Sequence, residues 1–104
     1  MRNKTKKQLQ ILQQVMQQQN LWQAIPPDQK AFLSTEPFAM DTMEANQWLQ
    51  WIFIPRMHAL LESNSPLPTE IAIVPYVEEA LKELEQLEDL LAPIAEIEKL
   101  CKNQ

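Results

Sequence analysis

Not one of the 104 residues is glycine, and eight are proline. Glycine is the residue that takes positive φ freely and lets a backbone approach a ligand closely. Motifs built on that freedom, the P-loop, the dinucleotide fingerprint and the glycine-rich phosphate loop, are therefore expected to be missing, and nucleotide chemistry of those kinds with them. Proline, for its part, marks where helices start and stop. With one histidine, His58, and one cysteine, Cys101, a single chain cannot assemble a zinc site of four cysteines, or of two cysteines and two histidines, nor a disulfide framework. No metal, no cofactor and no small-molecule substrate is expected. A hydrophobic content of 45% suffices for one modest core, so residues 1–104 read as a single domain.

Nine Lys plus Arg against fourteen Asp plus Glu give a formal charge of −5, which disfavours nonspecific adhesion to nucleic acid or anionic lipid. The basic start, MRNKTKKQLQILQQVMQQQN, breaks its apolar pairs with glutamines and is not a secretion signal. No apolar run reaches spanning length. A cytoplasmic protein with no membrane contact is expected.

The predicted fold is all-α: a small bundle of about four helices, with an ordered loop after the first and a Pro-kinked central helix. Residues 5–22 read as helix one, opened by Thr5 and Gln8 at capping-box spacing, with Leu9, Leu12, Val15 and Met16 on the inner face and glutamines on the solvated one. Residues 24–40, bounded by Pro26, Pro27 and Pro37, read as a loop with one short helical turn near Asp28 to Leu33, pinned to the core by Phe32, Leu33 and Phe38. Asp41, with Glu44 three residues on, is the expected cap of a second helix running to about Ser63. Pro55 inside it removes the bond to the carbonyl of Trp51, which predicts a kink or a break. After a connection at Asn64 to Pro68, Thr69 can cap a short piece over Glu70 to Val74, although Ile71, Ala72, Ile73 and Val74 could equally be extended, and helix resumes from Tyr76. Its apolar repeat, Val77, Leu81, Leu84, Leu87, Leu91, Ile94, Ile97 and Leu100, would extend too far as one rod, so a turn is expected near Glu83 to Glu88 or at Pro93. A short coiled coil is the alternative for that repeat.

Between Trp48 and Leu61 only Gln50, Arg56 and His58 are polar. A helix apolar on every side has to be covered on every side. Either it is simply the wrapped central helix, or part of it meets a protein partner, for which tryptophan, arginine and adaptable methionine are apt. The candidate protein-binding residues are Met40, Asp41, Met43, Trp48, Trp51, Arg56, Met57 and His58. Arg56 is expected to need a carboxylate, from Glu62 or an acid of the last helices, or else a helix carboxyl end. His58 with Asp41 or Glu62 lacks a nucleophile or metal to make an enzyme. Cys101 reads as an inert terminal thiol, and the acids Glu78, Glu79, Glu83, Glu85, Glu88, Asp89, Glu96 and Glu98 as a solvated surface. Charge is unevenly spread: residues 1–30 carry Arg2, Lys4, Lys6, Lys7 and Lys30 against Asp28 alone, whereas residues 75–104 carry eight acids against three lysines. Lys4, Lys6 and Lys7 are the candidate contacts for RNA phosphate, without the aromatic residues that usually accompany them.

The stretch STEPFAMDTMEANQWLQWIFIPRMHALLESNSPLP, Ser34 to Pro68, and VPYVEEAL, Val74 to Leu81, resemble the YqcC-like family of small bacterial proteins. The order of MDTM, WLQW, IPRM and PLP is what carries the resemblance. It implies a small all-α bundle, and no activity comes with it. Genes of that family tend to lie beside one for a tRNA pseudouridine synthase, so the resemblance implies an accessory protein that binds such an enzyme. Direct tRNA binding and a homodimer through the carboxyl-terminal leucines are the alternatives.

Overall fold

The computed structural model describes residues 2–103. Helix α1 spans Arg2–Gln18, starting earlier and ending sooner than the sequence suggests. Its buried residues, Thr5, Leu9, Leu12 and Met16, recur at intervals of four, three and four, the stripe of an amphipathic helix. Thr5 is thus fully buried inside the helix rather than capping it.

The end of α1 corrects the expectation drawn from missing glycine. Asn20, at φ 60°, lets Leu21 N–H reach the carbonyl of Met16 at 2.8 Å and Asn20 N–H that of Gln17 at 3.3 Å. Those two bonds close a Schellman cap, with asparagine as the left-handed residue. The central helix ends identically: Asn64 has φ 55°, Ser65 N–H reaches Leu60 O at 3.0 Å and Asn64 N–H reaches Leu61 O at 3.3 Å. Left-handed backbone is present after all, because a short polar side chain tolerates it nearly as well as none.

The connection from α1 to the central helix holds two 3₁₀ turns, Gln29–Leu33 and Pro37–Ala39. Asp28 caps the first by accepting from Lys30 N–H at 3.0 Å. The central helix begins at Ala45, not Asp41, since Asp41 is taken up by the hydroxyl of Ser34. Glu44 precedes it, and its N–H donates to Gln47 Oε1 at 2.8 Å. Helix α2, Ala45–Trp48, passes through a π turn, Leu49–Phe53, into α3, Ile54–Glu62, without interruption. Ile54 N–H bonds Leu49 O, five residues back. The wide turn lies directly before Pro55, where it offers room for a ring that would otherwise press on the carbonyl of Trp51. It also corrects the helical phase. Buried positions 45, 49, 53 and 57 are four apart, and in an unbroken α-helix each step would carry the stripe round by about 40°.

Residues 63–73 form no regular element, so the short helix over Glu70 to Val74 is not formed, and Val74 instead opens α4. Helices α4, Val74–Ala80, and α5, Leu87–Lys102, follow, separated by a turn that falls just ahead of Glu88, while Pro93 lies buried within α5. Glu98 accepts from Ile73 N–H at 2.8 Å and Val74 N–H at 3.2 Å, serving the start of α4 across the fold; it is not part of the solvated acidic face. Helix α5 packs chiefly on α1. Gln19 Nε2, just past the end of α1, donates to Gln86 O, just before α5, so the two run antiparallel. Leu90, Ile94, Ile97 and Cys101 are fully buried against Leu9, Leu12, Met16, Leu49, Met57 and Val77. Of the expected carboxyl-terminal repeat, Val77, Ile94 and Ile97 are fully buried and Leu81, Leu84, Leu87, Leu91 and Leu100 only half-buried, while Leu90 and Cys101, outside that repeat, complete the inner face. Each such side chain contributes about 1.5–3 kcal/mol by burial.

Candidate functional site

The structure divides the central candidates between the core and the surface. Trp48 is 9% exposed, at the middle of an aromatic cluster: its ring lies 5.0 Å from Phe38 at 76° and 5.5 Å from Phe53 at 19°. Phe38 in turn stacks on Tyr76 at 4.2 Å and 6°. To reach that place Phe38 and Ala39 take consecutive positive φ values, 58° and 49°, a strained pair that the stacking holds. Burial in this cluster pushes the Tyr76 phenol above its ordinary range. Met43 and Met57 are likewise buried. These three candidates, Met43, Trp48 and Met57, build the core and offer no surface. Beside them a cleft of about 490 Å³ runs between the central helix and residues 66–73, floored by Phe53 and Met57 with Arg56 at its edge.

Trp51 points the other way. It is half-buried in a groove shared with Gln13, Trp22, Pro55 and His58, and its Nε1 lies 3.4 Å from Gln23 Oε1. The groove wall is set by Gln50, buried in the π turn. Its Oε1 accepts from Gln23 N–H and its Nε2 donates to Gln23 O, both at 2.7 Å, so one side chain satisfies both groups of a loop residue. Asn46 Nδ2 adds a bond to Leu21 O at 3.2 Å. Arg56 is exposed and forms no ion pair among the described residues. The expected bond to Glu62 is not made, because a guanidinium in water needs none. His58 is half-buried and faces both the Trp51 groove and a smaller cleft of about 270 Å³ with Arg2 and Lys6. Asp41 is exposed and held by Ser34, and Met40 is 60% exposed. The eight candidates therefore do not converge on one site.

The apolar surface lies largely where the sequence reading placed an anchor. Leu33 is 77% exposed, Ile25 79% and Phe32 42%; with Met40, all belong to the connection before α2. Only Phe38 of the three expected anchors packs inward. In a 3₁₀ turn with three residues per turn, successive side chains point in three directions. Ala31 takes the inward one, and Phe32 and Leu33 are left outside. The turn is tied down instead by Thr42 Oγ1, which donates to Ala31 O at 2.8 Å. That geometry was the available signal: adjacent Phe32 and Leu33 cannot both face one core.

Lys4, Lys6 and Lys7 are exposed on α1. Cys101 is fully buried, and burial, with Glu98 nearby, raises its thiol pKa. No helix among the described residues is long and apolar enough to cross a membrane.

This is a small all-α bundle in which most side-chain hydrogen bonds among the described residues, such as those of Gln50, Asn46 and Glu98, go to its own backbone. Comparison with known proteins gives it a family. The DUF446 family model, described as tRNA pseudouridine synthase C, matches residues 4–100. An uncharacterized protein of Haemophilus influenzae is 60% identical over 103 residues, covering 99% of this chain and 97% of that one. The uncharacterized protein YqcC of Escherichia coli is 45% identical over 93 residues, 89% of this chain and 84% of YqcC. The solution NMR structure of E. coli YqcC superposes with a TM-score of 0.87 at 39% identity, covering 98% of this chain and 88% of that one. The chain belongs to the YqcC-like family. A protein of Pectobacterium carotovorum named tRNA pseudouridine synthase C also matches, 47% identical over 66 residues that make up 64% of this chain and 18% of that protein.

Proposed function

We propose that this chain is a non-enzymatic accessory protein of the cytoplasm that docks on a tRNA pseudouridine synthase. The docking face is the connection between α1 and α2, with Trp51 beside it. The observation that carries this reading is the exposure of Ile25, Leu33, Met40 and Phe32 on the one connection between α1 and α2, residues 19–44, where an isolated domain gains nothing by showing them. Trp51 and Trp22, half-buried in the adjoining groove, are of the type that anchors interfaces. The kind of partner is supported by the Pectobacterium match, in which a segment like this one stands inside a longer chain bearing a synthase name. Covalent linkage in one organism keeps together what a complex keeps together in another, by raising effective concentration.

The test is co-purification with the tRNA pseudouridine synthase C of the same genome, with masses read by light scattering. A stoichiometric complex is expected without RNA. Leu33→Asp should weaken it by about 2 kcal/mol, near thirtyfold, while leaving the melting temperature unchanged, since Leu33 lies outside the core. Failure to form a complex, or a complex indifferent to both Leu33→Asp and Ile25→Asp, rejects the reading.

A further inference from the structure

The cleft between the start of α1 and the end of α3 brings together residues that the sequence keeps far apart. Arg2, Asn3 and Lys6 line one side, and His58, Leu61, Glu62 and Asn64 the other. Arg2 and Lys6 are four apart on a helix and so share a face. That face is turned onto α3, because Arg2 Nη2 donates to Leu60 O at 2.8 Å. Asn64 stands at the rim through the left-handed cap that ends α3. Every polar side chain in the lining except Glu62 can donate a hydrogen bond. Lys6 forms no ion pair among the described residues, with Glu62 or any other acid. Two cations side by side in the first turns of a helix repel one another and oppose the helix dipole. A ligand offering only acceptor oxygens and negative charge would relieve both.

We infer that this cleft binds a backbone phosphate of RNA, with Lys6, Arg2 and His58 as its contacts and Asn3 and Asn64 as neutral donors at its rim. A chain of phosphates suits the surroundings better than a single small anion. Lys4 and Lys7 lie on the same helix, and the antiparallel packing of α1 and α5 brings Lys99 and Lys102, in the last turn of α5, to the same end of the molecule. The acids Glu83, Glu85, Glu88 and Asp89 fall at the opposite end, around the start of α5, while Glu62 lines the cleft itself and Glu70 and Glu98 line another with Lys99 and Lys102. With a total charge of −5, the attraction has to be local and oriented, which this separation of charge provides. The inference rests on none of the observations used for docking on a synthase.

The experiment uses the chain alone with labelled tRNA, followed by fluorescence anisotropy over a salt series. Binding should weaken as salt rises. Lys6→Gln should weaken it about tenfold and reduce the salt slope by about one, whereas Lys6→Arg should retain it. Lys30→Gln removes the same charge from the distant connection and should change little. Amide resonances of residues around Arg2, Lys6 and His58 should shift on adding tRNA. The inference is overturned if tRNA does not bind, or if Lys30→Gln weakens binding as much as Lys6→Gln. It is equally overturned if inorganic phosphate or a mononucleotide shifts those resonances and tRNA does not. Because no synthase is present, either result leaves the docking test undecided.

Discussion

Replacing Gln50 by methionine separates two accounts of the one polar residue buried in the π turn. If the site only needed filling, a flexible apolar side chain of nearly the same length would be neutral or would stabilise the fold. The structure requires the opposite. Gln50 is 4% exposed and makes two 2.7 Å bonds to the backbone of Gln23, one as acceptor and one as donor. Methionine removes both and leaves the N–H and C=O of Gln23 without them. A buried backbone group deprived of its partner costs about 1–3 kcal/mol. Gln23 is half-buried, so water recovers part of this, and the expected loss is about 2–4 kcal/mol for the pair. At about 4–8 °C per kcal/mol for a domain near this size, the melting temperature should fall by about 8–32 °C. Urea denaturation followed by helical circular dichroism measures the free energy, and hydrogen exchange at the Gln23 amide reports whether the bond itself is lost. A variant with unchanged or increased stability would refute the reasoning, as would an unchanged exchange rate at Gln23. Gln50→Glu should be no better than methionine, since a carboxylate keeps the acceptor but faces the Gln23 carbonyl with a charge.

Asn64→Ala should destabilise by about 1 kcal/mol, the cost of left-handed backbone at a residue with a β-carbon, while Asn64→Gly should be close to neutral; thermal melts of the pair check this. Ala39→Gly should raise stability by about 0.5 kcal/mol in urea denaturation, because relief of positive φ exceeds the added freedom of the unfolded chain. Glu98→Ala should cost about 0.5–2 kcal/mol by freeing the Ile73 and Val74 amides, with the loss seen first as faster exchange at those two positions. Above about pH 8.5 the unfolded chain releases its thiol and then its phenol proton before the folded one does, because burial raises the pKa of both Cys101 and Tyr76. The unfolded state then binds fewer protons, so stability should fall as pH rises through that range and be fully present below it; Cys101→Ala should flatten the early part of the fall.

Much of the fold is legible in the letters because helix faces obey one period. Leu9, Leu12 and Met16 on α1, and Ile94 and Ile97 on α5, lie where their spacing puts them, whereas Leu90 takes the buried place expected of Leu91. Asp28 announces the 3₁₀ turn that it caps. What is not legible depends on partners distant in sequence. Asp41 has the chemistry of a cap, yet Ser34 claims it, and the start passes to Glu44 and Gln47. Glu98 looks like one more surface acid until α4 brings two unpaired amides to it. Of the candidate site, sequence identified residue types suited to an interface without their direction. A one-residue difference in helical phase separates buried Met57 from exposed Arg56. The meeting of Lys6 with His58 is a tertiary fact that no local pattern contains.

The π turn at Leu49–Phe53 has a consequence for how this helix tolerates a change of length. In an ordinary α-helix, loss of one residue turns everything downstream by about 100° and exchanges core for surface. Here the wide turn already holds one residue more than an α-helix would need to join the same two faces. A single deletion within it would tighten the turn to α and leave Met57 pointing inward and Arg56 outward, with the burden falling on Pro55, whose ring would again meet a carbonyl. A whole residue inserted or removed a turn later, within α3, has no such slack and would move Arg56 and His58 off the clefts they now border.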